Sequence, residues 1–102
     1  MDFKSFSDLV NANPKMRLVF VGTKGGEISP YNLVSSAVKA DKVIINLSPV
    51  AKKTYEVCEH VAKLLATVTE ADALEVSVNV DGKVLALGSA KTGDQYLIAK
   101  VS

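Results

Sequence analysis

The side chains spaced for chemistry gather in two places. One is the loop in "VFVGTKGGEISP" (19–30), where Lys24, Gly25 and Gly26 are followed by Ser29. The other is "SPVAKKTYEVCEH" (48–60), which carries Ser48, Lys52, Lys53, Glu56, Cys58, Glu59 and His60. Backbone N–H groups of a glycine loop or a helix start, with lysines beside them, suit an anion such as phosphate. The named phosphate patterns are absent: Lys24 precedes its glycines, and Gly22, Gly25 and Gly26 do not have GxGxxG spacing. Two readings follow. The plain one is a turn that uses glycine at positive φ, with solvated lysines around it. The other is an anion-binding edge made of Lys24, Gly25, Gly26, Ser29, Ser48, Lys52 and Lys53. Lysines in a first helical turn oppose the macrodipole by roughly 0.3–1 kcal/mol each, a penalty that a bound anion offsets.

Acid–base and metal chemistry find less support. Cys58 and His60 are two apart in a helical pattern, so they point in different directions and cannot form a nucleophile–base pair. Cys58 falls on an apolar stripe, where a thiol acts as a small hydrophobe. His60 falls on the wet stripe between Glu56 and Lys63. Glu56 and His60, at i and i+4, supply two metal ligands where a site needs three or four. GxSxG, HExxH and paired-acid constellations are missing. The expectation is a chain with no catalytic residue, no cofactor and no metal; a small enzyme of unidentified class is the alternative.

Bulk composition narrows the partners. The chain has 102 residues, enough for one domain over 1–102, with 48% hydrophobic and 23% charged side chains. Net charge is +1, and Arg17 is the one arginine among 12 basic residues. Arginine supplies the bidentate fork for base and phosphate recognition, so specific nucleic-acid binding is not expected. A single cysteine and the lack of a basic–apolar leader pattern point to a reducing cytoplasm. Apolar runs fall far short of the roughly 20 residues that span a bilayer.

The elements that would position these residues read as follows. Phe3, Phe6, Leu9 and Val10 make a short amphipathic helix that ends at Asn13-Pro14. "MRLVFV" (16–21) is a strand covered on both faces. Ser29-Pro30 looks like a helix start, with Leu33, Val34, Ala37 and Val38 on one helical stripe. "KVIINLSP" (42–49) repeats the strand–Ser-Pro arrangement and leads into a long helix at about 50–69. After Asp72, "LEVSVNV" alternates strictly, Asp81-Gly82 is a type I′ hairpin signal, and Leu85 and Leu87 return opposite Val78 and Val76. A last strand covers 95–101.

This predicts an α/β (mixed α+β) fold with a single-layer mixed sheet of about five strands carrying helices. The order is α-β-α-β-α-β-β-β, with a C-terminal antiparallel meander. A helical crossover makes strands 16–21 and 42–47 parallel neighbours, which brings their two anion loops to one sheet edge.

Apolar residues exceed what so small a core hides. Val84 lies opposite in facing to Leu85, while Tyr96 and Ile98 share one face and Leu97, Ala99 and Val101 the other. Tyr55 sits on the boundary of the long helix. Tyr55, Val84, Tyr96 and Ile98 are therefore interface candidates for a protein partner or a homodimer, unless the first helix covers the second face. The functional expectation is a small, non-enzymatic binding module, accessory or inhibitory; an anion- or nucleotide-phosphate-binding domain is the alternative.

Overall fold

The computed structural model of the chain describes residues 1–22, 31–49 and 55–102. Helix α1 spans Phe3–Ala12. The Asp2 carboxylate caps it by accepting from the Ser5 backbone N–H at 2.8 Å, which satisfies one orphan donor of the first turn. Two more are taken from outside the helix: Phe3 N–H donates to the Leu74 carbonyl and Lys4 N–H to the Asp72 carbonyl. Phe3, Phe6 and Val10 form the buried face.

Among the described residues six strands follow, with one helix among them: β1 (Arg17–Gly22), β2 (Tyr31–Lys39), β3 (Lys42–Pro49), α2 (Cys58–Leu65), β4 (Glu75–Val80), β5 (Lys83–Thr92) and β6 (Tyr96–Val101). Their order in the sheet is β1-β6-β5-β4-β3-β2. The pairs β1–β6 and β3–β4 are parallel, and the other three are antiparallel. The meander β4-β5-β6 is as expected. So is its first turn, where Asp81 at φ 52° and Gly82 at φ 80° have the two positive values of a type I′ hairpin. Val78 faces Leu85 as read. Leu87 instead pairs with Val101, because a bulge between Leu87 and Ser89 turns β5 away from β4 and onto β6. The opening residues occupy the gap. Asp2 bridges Glu75, and the Met1 carbonyl accepts from Val76 N–H at 3.1 Å.

Three expectations are corrected. Residues 31–39 are strand β2, not a helix, so the order is α-β-β-β-α-β-β-β. Tyr, Asn, Val, Ser and Ser are poor helix formers, and the two-residue turn Ala40-Asp41 folds the segment directly onto β3. β1 and β3 are not neighbours: β6, β5 and β4 lie between them. Ser48 and Pro49 belong to β3, and the residues that follow them, 50–54, lie outside the described residues. In the described part of the long helix, from 55 on, only α2 is helical: residues 66–67 form a turn, and Val57 is extended at φ −73° and ψ 138°. Its strand-like geometry lets it bridge Arg17 at the outer edge of β1.

Both helices pack on the same face of the sheet. Phe3, Phe6 and Val10 from α1 meet Cys58, Val61 and Leu65 from α2 over Leu18, Phe20, Val43, Ile45, Val76, Val78, Leu97 and Ala99. Each fully buried side chain of this size contributes roughly 1.5–3 kcal/mol. The first helix therefore does not cover the second face.

Candidate functional site

Of the seven residues read as an anion edge, Lys24, Gly25, Gly26, Ser29, Lys52 and Lys53 lie outside the described residues. Ser48 is described, partly buried in β3 opposite Asn32. The ends of β1 and β3 share one end of the sheet but are three strands apart, so adjacent strands do not bring the two loops together.

Glu56, Cys58 and His60 take up three unlike environments. The Cys58 thiol is fully buried at the first residue of α2, and burial pushes it up to about 11. Desolvation is the cause, because apolar surroundings disfavour the charged thiolate. His60 is exposed, and its Nδ1 lies 3.3 Å from Glu56 Oε2. Among the described residues, no three His, Cys, Asp or Glu side chains come together as a metal site would require. No helix among them is long and apolar enough to cross a membrane.

The face of the sheet opposite the helices carries the interface candidates. Strand alternation puts Val84, Ala86, Tyr96 and Ile98 there; Val84 is 49% exposed, Tyr96 41%, and Ile98 half-buried. The structure brings three of the four candidates together. Tyr55 and Tyr96 meet edge to face with ring centroids 6.4 Å apart, and Ile98 is two residues along from Tyr96 on the same side. The Arg17 guanidinium holds this corner by donating to the Tyr55 carbonyl. Val84 stands apart at the far end of β5. Lys100 and its partner Ser89 lie between, and Lys91 stands beside Ile98. The apolar surface is thus two patches with a lysine and a serine between them.

The sequence pattern gave no sign of a row of polar side chains on this same face. Asn79 Nδ2 donates to Asn46 Oδ1 at 3.0 Å, and Asn46 Nδ2 donates to Ser35 Oγ at 2.9 Å. The row crosses β4, β3 and β2 at paired positions, Asn79–Asn46 and Asn46–Ser35. Its hydrogen bonds all run one way, and Asn79 Oδ1 at the head is a buried acceptor without a donor. Leaving such a group unpaired costs about 1–3 kcal/mol. Asparagines in an alternating pattern look like ordinary outward-facing residues, and only the strand order makes them a row. Ser77, on this same face, is only 5% exposed.

The chain matches no protein-family model, no curated protein and no solved structure, so its own residues carry the functional case.

Proposed function

We propose that this protein is a small cytoplasmic binding module without catalytic activity, which acts through protein–protein contacts as an accessory or inhibitory chain and also self-associates. One observation supports the reading. Both helices lie on one sheet face, while the other keeps Tyr96 and Val84 exposed and Ile98 half-buried. Exposed aromatic and aliphatic side chains with Lys91 and Lys100 beside them resemble the anchor-and-rim pattern of a protein interface.

Co-purification with the tagged chain tests it. The wild type and a His60→Ala/Cys58→Ser variant are expected to retain the same partner. Tyr96→Asp with Val84→Asp is expected to lose it while keeping its circular dichroism. Loss of activity in the folded His60/Cys58 variant, with binding intact, would defeat the non-enzymatic reading.

A further inference from the structure

The two signs of charge are not spread evenly over this fold. The whole chain has 12 basic and 11 acidic residues, yet among the described residues the six strands contain six cations and one acid, Glu75. Strand alternation points five of the six cations, Arg17, Lys39, Lys42, Lys91 and Lys100, away from the helices. They share the face that carries Tyr96, Ile98 and Val84.

These cations are uncompensated. On helix α1, Lys4 finds Asp8 at 3.2 Å. None of the five on the sheet is ion-paired, and the Glu75 carboxylate contacts none of them. Lys39 and Lys42 stand directly opposite each other, an arrangement of like charges that weakens a strand pair. The residues outside the described set add Lys24, Lys52, Lys53 and Glu27, so the excess cannot be reversed by them. A face of one sign projects a field that draws the opposite sign from solution.

That sign selects the occupant. A second copy offering the same face would set five more cations against these and be repelled. Nucleic acid is held through arginine forks and stacked bases. Here the one arginine of the chain donates to the Tyr55 carbonyl, and Tyr96 meets Tyr55 edge to face. Arg17 is paired with Tyr96 and Lys91 with Ile98, so each apolar side chain of this corner has a cation beside it.

We infer that this face docks an acidic polypeptide, whose carboxylates meet Arg17, Lys91 and Lys100 around an apolar residue set on Tyr96 and Ile98. This names the partner class of the interface proposed above and rests on that reading. Charge complementarity of this kind acts on the association rate and fades as salt screens it.

Fluorescence anisotropy of labelled poly(Glu,Tyr) with the full chain, at about 50 and about 200 mM salt, tests this. Poly(U) RNA and vesicles of equal phosphatidylcholine and phosphatidylserine are the other arms. Lys91→Glu/Lys100→Glu is compared with Lys4→Glu/Lys63→Glu, which changes net charge equally but on the helices. All four lysines are exposed, so both variants keep the fold. The sheet pair is expected to weaken poly(Glu,Tyr) binding at least about ten-fold, and the helix pair to change it less than about two-fold. Equal weakening by both pairs, tighter binding of poly(U) or vesicles, or no binding of poly(Glu,Tyr) overturns the acidic partner. In co-purification, loss of the partner by Tyr96→Asp/Val84→Asp but not by Lys91→Glu/Lys100→Glu also overturns it and leaves the interface standing. Loss by neither overturns both.

Discussion

The Cys58 thiol links burial to stability in a way that can be measured. It is fully buried, and desolvation raises it from 9.0 to about 11. A group raised in the folded state lends stability that is complete below its unfolded value and is lost as pH rises through the folded one. The window therefore runs from pH 9 to pH 11. At pH 10 the unfolded thiol is mostly ionised and the folded one is not, which costs about 1.4 kcal/mol; above pH 11 the loss levels near 3 kcal/mol. Urea unfolding at pH 7 and pH 10 reads this directly. For a domain of this size, about 1.4 kcal/mol lowers the midpoint by about 1 M. Lysines and tyrosines also titrate there, so the quantity that decides is the difference between the wild type and Cys58→Ala. The variant is less stable at pH 7 because it loses a packed sulfur, but it should lose less on going to pH 10. Equal losses in both proteins would show that Cys58 is not desolvated, and prompt reaction of the folded protein with a thiol reagent at pH 8 would show the same.

Three further outcomes are expected. Ala40 has φ 58° at the first position of the β2–β3 turn, so Ala40→Gly should raise stability by up to about 1 kcal/mol, whereas Gly82→Ala should lower it by about 1 kcal/mol although the space around it is open; thermal melts with the opposite signs would refute both turn geometries. The Asp2 carboxyl is held below its ordinary 3.8 mainly by the Ser5 backbone N–H, so its contribution is present above that value and fades as pH falls through the lower folded one. Asp2→Asn should flatten the acid limb of a melting-temperature profile, and an unchanged limb would rule out the cap. Because His60 is exposed, Glu56→Gln should change stability by less than about 0.5 kcal/mol, as double-mutant analysis with His60→Ala would verify.

What the sequence made legible was local. Phe3, Phe6 and Val10 announce α1, the alternation of 74–80 announces β4, and Asp81-Gly82 announces its turn. The error at 31–39 has a physical source: Leu33, Val34, Ala37 and Val38 suit a helical stripe but also fit a strand with a bulge, and pairing with β3 decides between them. The weak helix propensity of Asn32, Ser35 and Ser36 was the available signal. Tyr96 and Ile98 were legible as surplus because they alternate with buried Leu97 and Ala99. Their separation from Val84 was not, since the bulge at Leu87/Ser89 and the placing of Lys91 and Lys100 emerge only once the register is known. Nor does any local pattern say that β1 belongs beside β6.

That parallel pair has a consequence for how the chain is made. Arg17 through Gly22 find their strand partners in Tyr96 through Val101, about 80 residues later. Closing so long a loop costs about 4 kcal/mol of chain entropy before any ladder bond forms. On a translating ribosome, the apolar run Leu18–Phe20 therefore waits, unpaired by its strand partner, while nearly the whole domain is synthesised. The hairpins β2–β3 and β4–β5 close within a few residues and can form during that wait. Pulse-labelled amide exchange should find β1 and β6 protected together, after both hairpins. Protection of the Arg17 amide, which donates to the Gln95 carbonyl, before β6 would contradict the pairing. During that interval the exposed strand is open to capture by a chaperone or a neighbouring nascent chain.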